Sequence, residues 1–217
     1  GLMGIADMLI QMGITYGSKE SIELSEQISF FMMDRAIAAS AKLAQQLGAF
    51  PMCETEQIMK SPFFLQNTTE ETRKLVEEFG LRNSQLLTIA PTGTLSTMLG
   101  ISGGIEPIYA NYYERTTQSL HGRDVTYRVY TKIVEEYMKL HNLSEVDELP
   151  DYFVTAMELD YHSRLKMQAT WQKHIDASIS STVNVPNEFS VEQVGELYFE
   201  AYELGLKGVT LFRDGCK

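Results

Sequence analysis

One stretch reads Leu87-Thr88-Ile89-Ala90-Pro91-Thr92-Gly93-Thr94-Leu95-Ser96, and Gly103-Gly104-Ile105-Glu106-Pro107 follows shortly after it. Apolar residues, a proline and then hydroxyls around a glycine describe a strand that turns into a helix. A helix start leaves backbone N–H groups unpaired, and the helix dipole adds partial positive charge there. Thr92, Thr94 and Ser96 can add side-chain donors, and Gly93 permits close approach of a ligand to the backbone. The chemistry such a place supports is phosphate binding. The same residues also describe an ordinary N-cap, in which one threonine satisfies a helix end and nothing binds. Both readings stand on the sequence.

Other reactive side chains are scattered. His121, His141, His162 and His174 lack the i, i+4 pairing or cysteine partners of a metal site, so each is expected to be solvent-facing or structural. His174 and Asp176 are two apart on an expected helix and do not face one another. Cys53, in Pro51-Met52-Cys53-Glu54, sets a thiol beside a carboxylate, but a free structural cysteine is the usual case. Cys216 follows the last expected strand and reads as a bystander. The methionines and tyrosines, eleven of each, read as core and interface filler.

The elements that must position these residues follow from hydrophobic period and capping. Residues 3–12 read as a helix stopped by Gly13. Ser18 caps a longer one ending at Gly48, with Ile22, Leu24, Ile28, Phe31, Met32, Ala36, Ala39 and Leu43 on its apolar faces. Residues 50–67, with Pro51 and Pro62, read as a loop. Thr68 or Thr69 caps the next helix, which Gly80 ends. Residues 86–90 are a buried strand feeding the hydroxyl-rich turn. Residues 109–165 read as mostly helical after an extended start at Tyr112 and Tyr113, with 125–141 at helical spacing. Helices are expected over 154–170 and 171–179, then a strand at 182–185. Ser190 caps a helix closed by Gly205, and 209–212 is the final strand. Strands separated by helices indicate a parallel α/β arrangement.

Composition bounds the function. Hydrophobic residues at 44% and charged residues at 22% are ordinary for a globular enzyme. The formal charge of −11 argues against nucleic-acid binding, which needs a basic face, but leaves room for one nucleotide held by local donors. No apolar run approaches the roughly 20 residues of a membrane span. Two cysteines and the lack of a signal peptide suit a reducing cytosol, so a cytoplasmic location is expected.

Ala90-Pro91-Thr92-Gly93-Thr94-Leu95-Ser96 with Gly104-Ile105-Glu106-Pro107 also resembles the substrate-phosphate loop of ribonucleotide reductase large chains, above all the adenosylcobalamin-dependent class II enzymes. Three further blocks, in the family's order, extend the resemblance across nearly the whole chain. They are Met3-Gly4-Ile5-Ala6-Asp7-Met8-Leu9 with Gly13-Ile14-Thr15-Tyr16, then Trp171-Gln172-Lys173-His174-Ile175-Asp176 running into Ser181-Thr182-Val183-Asn184-Val185-Pro186, and Glu203-Leu204-Gly205-Leu206-Lys207-Gly208-Val209-Thr210-Leu211-Phe212-Arg213-Asp214-Gly215.

The resemblance implies that residues 1–217 are the C-terminal portion of a ten-stranded α/β barrel. It implies that Pro91, Thr92, Gly93, Thr94, Leu95 and Ser96 hold the phosphates of a ribonucleotide substrate and that Glu106 lies near the substrate cavity, where a turn-stabilising role is equally open. It implies adenosylcobalamin as cofactor, with no binding residues assignable here, and an intact enzyme that is a homodimer. The family's radical cysteine lies in an Asn-x-Cys-x-Glu motif that this sequence lacks, so no catalytic residue is assigned. Where class I members carry adjacent tyrosines for radical transfer, this chain has Leu211-Phe212, which points to class II; plain core packing of Phe212 is compatible with that. Gly1 is not an initiator, and the chain is expected to be a severed part of the barrel that needs an upstream partner. A non-catalytic, barrel-completing subunit is the alternative. A small kinase-like phosphate domain needs a lysine in the glycine loop, which 91–96 lacks.

Overall fold

A computed structural model describes residues 1–117 and 125–216. The chain begins with α1 (Ile5–Gln11) and the long α2 (Lys19–Leu47), followed by α3 (Thr55–Lys60), α4 (Pro62–Gln66) and α5 (Glu70–Phe79). Short α6 (Gly93–Leu99) precedes a hairpin of β1 (Tyr112–Thr117) and β2 (Val125–Tyr130), and α7 (Lys132–His141) follows. The last third holds α8 (Tyr161–Gln172), β3 (Thr182–Val185), α9 (Val191–Glu203) and β4 (Thr210–Arg213).

Four of the longer helices start where side-chain oxygens can satisfy their first N–H groups, α8 through Asp160, which accepts Ser163 N–H. Ser18 accepts from Ser21 N–H, Thr69 from Thr72 N–H, and Ser190 forms a reciprocal capping box with Gln193. Of the apolar positions expected on α2, Ile22, Leu24, Ile28 and Met32 do pack against a core cluster, but the most deeply buried stripe is a different one. Ser21, Ser25, Ser29, Met33, Ile37 and Ala41 recur at four-residue steps and are buried, whereas Phe31 and Leu43 are exposed. Small side chains let α5 and α8 lie close against α2. Their hydroxyls are accommodated locally, Ser21 donating to Ser18 C=O at 2.8 Å and Ser29 to Ser25 C=O at 2.7 Å.

Four sequence expectations are corrected. Residues 125–130 are a strand, not helix: Val-Thr-Tyr-Arg-Val-Tyr alternates β-branched and aromatic residues and pairs antiparallel with β1, Tyr112 opposite Tyr130. Residues 55–66 hold two short helices, and Pro62 opens α4, where its missing N–H costs nothing. α8 ends at Gln172, and 173–179 leaves it through a turn at Lys173 and His174 and a bend at Asp176 before the chain leads into β3. Residues 86–90 run extended beside it but join through a single parallel bridge, Ile89 to Ile179.

The 177–185 run is pivotal. Ala177 N–H donates to Leu87 C=O and Ser180 N–H to Ile89 C=O, at 3.0 and 2.8 Å. Further along, β3 pairs in parallel with β4, Thr182 opposite Thr210. One apolar cluster joins α1, Ile89, Ile105, Ile108, α7 and Trp171; a second joins α2 to α4 and α5; a third packs Leu165 and α9 on β3. Among the described residues, no helix is long and apolar enough to cross a membrane.

Candidate functional site

Ile89 is buried, and the chain emerges from its parallel pairing directly into 91–96. Ligands in parallel α/β sheets bind beyond the carboxyl ends of strands, which is where this turn lies. Thr92 adopts the left-handed conformation at φ 51°, which disfavours a β-branched residue. Two bonds hold it there: Gly104 N–H donates to Thr92 Oγ1 at 3.1 Å, and Ser96 N–H donates to Thr92 C=O at 2.8 Å. Gly103 closes the join, since a Cβ there would lie 3.0 Å from Pro91 C=O. The two glycine-bearing segments thus form one body.

This body presents a consistent set of donors. The N–H groups of Gly93, Thr94 and Leu95 open α6 and have no side-chain cap. Gly93, Thr94 and Leu95 are exposed, and no atom stands where a Cβ would sit on Gly93. Among the described residues, the Thr94 hydroxyl has no hydrogen-bond partner, so it is available to a ligand. Ser96 differs: its hydroxyl is buried and donates to Gly93 C=O at 3.1 Å. Leu95 offers its backbone only, and Pro91 shapes the turn without an N–H.

Glu106 follows two residues after Gly104, whose N–H is held by Thr92. The Glu106 Oε1 accepts Thr182 N–H at 2.7 Å, tying the 103–107 turn to the start of β3. Arg164, from α8, lies behind it with Nη2 3.6 Å from Oε1. The Arg164 Nη1 donates to the Tyr16 hydroxyl at 2.7 Å, and that hydroxyl donates in turn to Ile105 C=O at 2.5 Å. Burial pushes the Tyr16 phenol up to about 12; the Arg164 guanidinium pulls the other way, and the Glu106 carboxylate adds to the rise. Tyr16 therefore stays protonated and keeps donating.

Sequence reasoning missed Arg164, Tyr16 and Asp176 as organisers of the site. Asp176 is in the bend after α8, where its two oxygens accept the Leu86 and Leu87 amides. Gly17, at φ 85°, was a legible signal: a Cβ there would be 3.0 Å from Leu159 and 3.2 Å from Ser163 Cβ, so only glycine lets Tyr16 lie over α8.

The histidines have structural partners. His174 is buried between Asn67, 2.6 Å from Nδ1, and Glu26, 3.1 Å from Nε2. His162 meets Glu200 at 2.6 Å, and His141 packs on Tyr137. His121 lies outside the described residues. The Cys53 sulfur accepts Leu81 N–H at 3.4 Å within the second cluster, and Cys216 is exposed. Phe212 is paired opposite Asn184 and is partly exposed instead of packed in a core.

Residues 1–212 match the family model of the ribonucleotide reductase barrel domain, and the chain belongs to that family. The match bears out the α/β barrel architecture. Among relatives, the vitamin B12-dependent ribonucleoside-diphosphate reductase of Thermoplasma acidophilum is 33% identical, with 100% of this chain aligned to 28% of the relative. A protein of the same name from Mycobacterium tuberculosis is 30% identical over 100% of this chain and 31% of its own length. The chain thus spans less than a third of these relatives. In fold it is similar to the class Id ribonucleotide reductase alpha subunit of Actinobacillus ureae, with a TM-score of 0.72 at 21% identity, covering 100% of this chain and 38% of that one.

The vitamin B12 in the relatives' names invites a test of fit. One cavity, about 570 Å³, is an open groove lined by Tyr130, Met138, Lys139 and neighbours on α7, and another, about 540 Å³, lies between α1 and α7. Each is too small for a corrin with its nucleotide and adenosyl arms, and no residue of 91–106 lines either. The residues described here do not fit adenosylcobalamin by themselves.

Proposed function

We propose that the protein carrying this chain is a ribonucleotide reductase that makes 2′-deoxyribonucleotides from ribonucleoside di- or triphosphates, with 91–96 holding the substrate's phosphates. The observation that supports this most directly is the row of three uncapped N–H groups, Gly93 to Leu95, beside the free Thr94 hydroxyl. Backbone N–H groups at a helix start bind phosphate without a lysine, and Gly93 leaves room for its oxygens. Thr92 contributes through conformation, since its left-handed backbone turns those groups outward. Ser96 fixes the turn from within.

Glu106 borders the same space. One carboxylate oxygen is committed to Thr182, which leaves the other to face the substrate's sugar side. The thiyl and reducing cysteines of the reaction are supplied outside these residues, because neither Cys53 nor Cys216 approaches the loop's hydrogen-bond network and no Asn-x-Cys-x-Glu run is present. The radical source we assign is adenosylcobalamin, on the similarity to vitamin B12-dependent relatives. The partners we assign are the upstream part of the reductase and a second copy of the intact enzyme.

Reconstitution tests the reading. The chain is combined with an upstream reductase fragment, and ribonucleotide reduction is measured with and without adenosylcobalamin. Cobalamin-dependent turnover by the combination, and none by these 217 residues alone, is expected. Turnover that requires a tyrosyl-radical subunit would overturn the class, and robust turnover by the chain alone would overturn the division of labour.

A further inference from the structure

A buried arginine is costly unless something uses its charge and geometry. Arg164 is 3% exposed, and its guanidinium reaches three segments distant in sequence. Nη1 bonds the Tyr16 hydroxyl at 2.7 Å and lies 3.5 Å from Ile105 C=O. Nε lies 3.4 Å from Thr182 C=O, on the residue whose N–H is held by Glu106. Nη2 is buried without a hydrogen bond and lies 3.6 Å from Glu106 Oε1. Apolar side chains of similar volume often replace buried ion pairs without loss of stability. What they would not supply is a rigid planar fork that reads the positions of several oxygens at once.

The phosphate donors and the guanidinium are separate. Arg164 bonds none of the N–H groups of 93–95, whereas the polar contacts of its guanidinium fall on Tyr16, 105–106 and 182. We propose that Arg164 is a positioning residue: acting with Tyr16, its guanidinium fixes the Ile105 backbone and the Glu106 carboxylate relative to the phosphate loop, and so sets the geometry of turnover instead of the tightness of substrate binding. This assignment rests on the reductase reading for its kinetic consequence, but its structural content stands on the contacts alone.

Two measurements on Arg164→Met and Arg164→Lys test it in the protein carrying this chain. Misplacement of a substrate-facing group by about 1 Å costs up to roughly a hundredfold in rate. Arg164→Met is therefore expected to lower kcat by about ten- to a hundredfold with KM within about threefold, and Arg164→Lys to recover part of the loss. Amide hydrogen exchange is followed in parallel. The Thr182 and Gly104 amides, bonded to Glu106 Oε1 and Thr92 Oγ1, are expected to exchange at least about tenfold faster in Arg164→Met, with α2 and α5 unchanged. Unchanged exchange at 104 and 182 would overturn the proposal, as would acceleration spread evenly over α2 and α5, which marks a general stability role. A rise in KM with kcat intact would overturn it too. A wild-type protein that does not reduce ribonucleotides would overturn the reductase reading, and the exchange data would still decide the role of Arg164.

Discussion

The carboxylate of Asp176 holds the Leu87 amide at 2.7 Å across 89 residues of sequence, and its other oxygen holds the Leu86 amide at the same distance. These bonds secure the start of the extended segment that delivers 91–96, and they do so where the parallel pairing is reduced to one bridge. Lys207 Nζ reaches Asp176 C=O at 2.6 Å, linking this anchor to the chain ahead of β4.

Asp176→Asn tests that anchor. The substitution keeps the shape but turns one acceptor into a donor facing an N–H group. Hydrogen bonds to charged groups contribute about 1.5–3 kcal/mol, so a loss of that order in unfolding free energy is expected, measured by denaturant titration. A change below about 0.5 kcal/mol would show that the Ile89 pairing alone fixes the segment.

Thr94→Val removes the one free hydroxyl at the candidate phosphate site and leaves the backbone N–H groups in place. On the reductase reading, loss of a charge-assisted hydrogen bond weakens nucleotide affinity roughly ten- to a hundredfold. Gly93→Val, whose Cβ has open space around it, narrows the approach and should weaken it further. Calorimetric affinities in the assembled enzyme give the readout. Unchanged binding in both variants would remove 91–96 from the substrate site.

Asp34 makes stability pH-dependent. Its burial works to raise the carboxyl, but bonds from Thr69 N–H, Thr72, Arg35 and the Thr69 hydroxyl outweigh that and hold it below the usual carboxylate value of 3.8. A depressed folded-state pKa means stability that is fully present above the unfolded value and lost as pH falls through the folded one. The thermal midpoint should fall on acidification below about pH 4, and Asp34→Asn should flatten that limb while lowering stability at neutral pH. An identical acid limb in the variant would assign acid sensitivity to other groups.

Much of the fold is written in local signals. Ser18, Thr69 and Ser190 mark helix starts through their own oxygens, and 182–185 reads as a strand from its alternation, so both were legible. The hairpin was not, because Val125, Val129 and Tyr130 also fit a helical count once the following helix is run together with them. On α2, Ile22, Leu24, Ile28 and Met32 pack inward as their period indicates, but the serine stripe is buried as well because α5 and α8 approach closely, which no single-helix pattern records. At the candidate site, the hydroxyls of 91–96 were visible as a motif. Ser96's inward bond, and the convergence of Tyr16, Glu106, Arg164 and Thr182, depend on contacts between residues as far as 148 positions apart.

The surface of the last third carries the final prediction. β3 and β4 form a two-stranded parallel sheet among the described residues, and α9, which covers one side, exposes Phe199 at 62% and Tyr202 at 79%. Beside it, a groove of about 280 Å³ is lined by Phe189, Val191, Leu211 and Phe212. Parallel strands are normally covered on both faces, and contiguous apolar surface of this kind drives association. These 217 residues on their own should therefore self-associate, or bind an upstream reductase fragment, at micromolar concentration. Sedimentation velocity gives the test, and the pair Phe199→Ser with Tyr202→Ser should shift the distribution toward monomer without loss of helical signal. A wild-type chain that sediments as a monomer and melts in one sharp transition would show that this surface is stable in water, and that α9 and β4 need no covering partner.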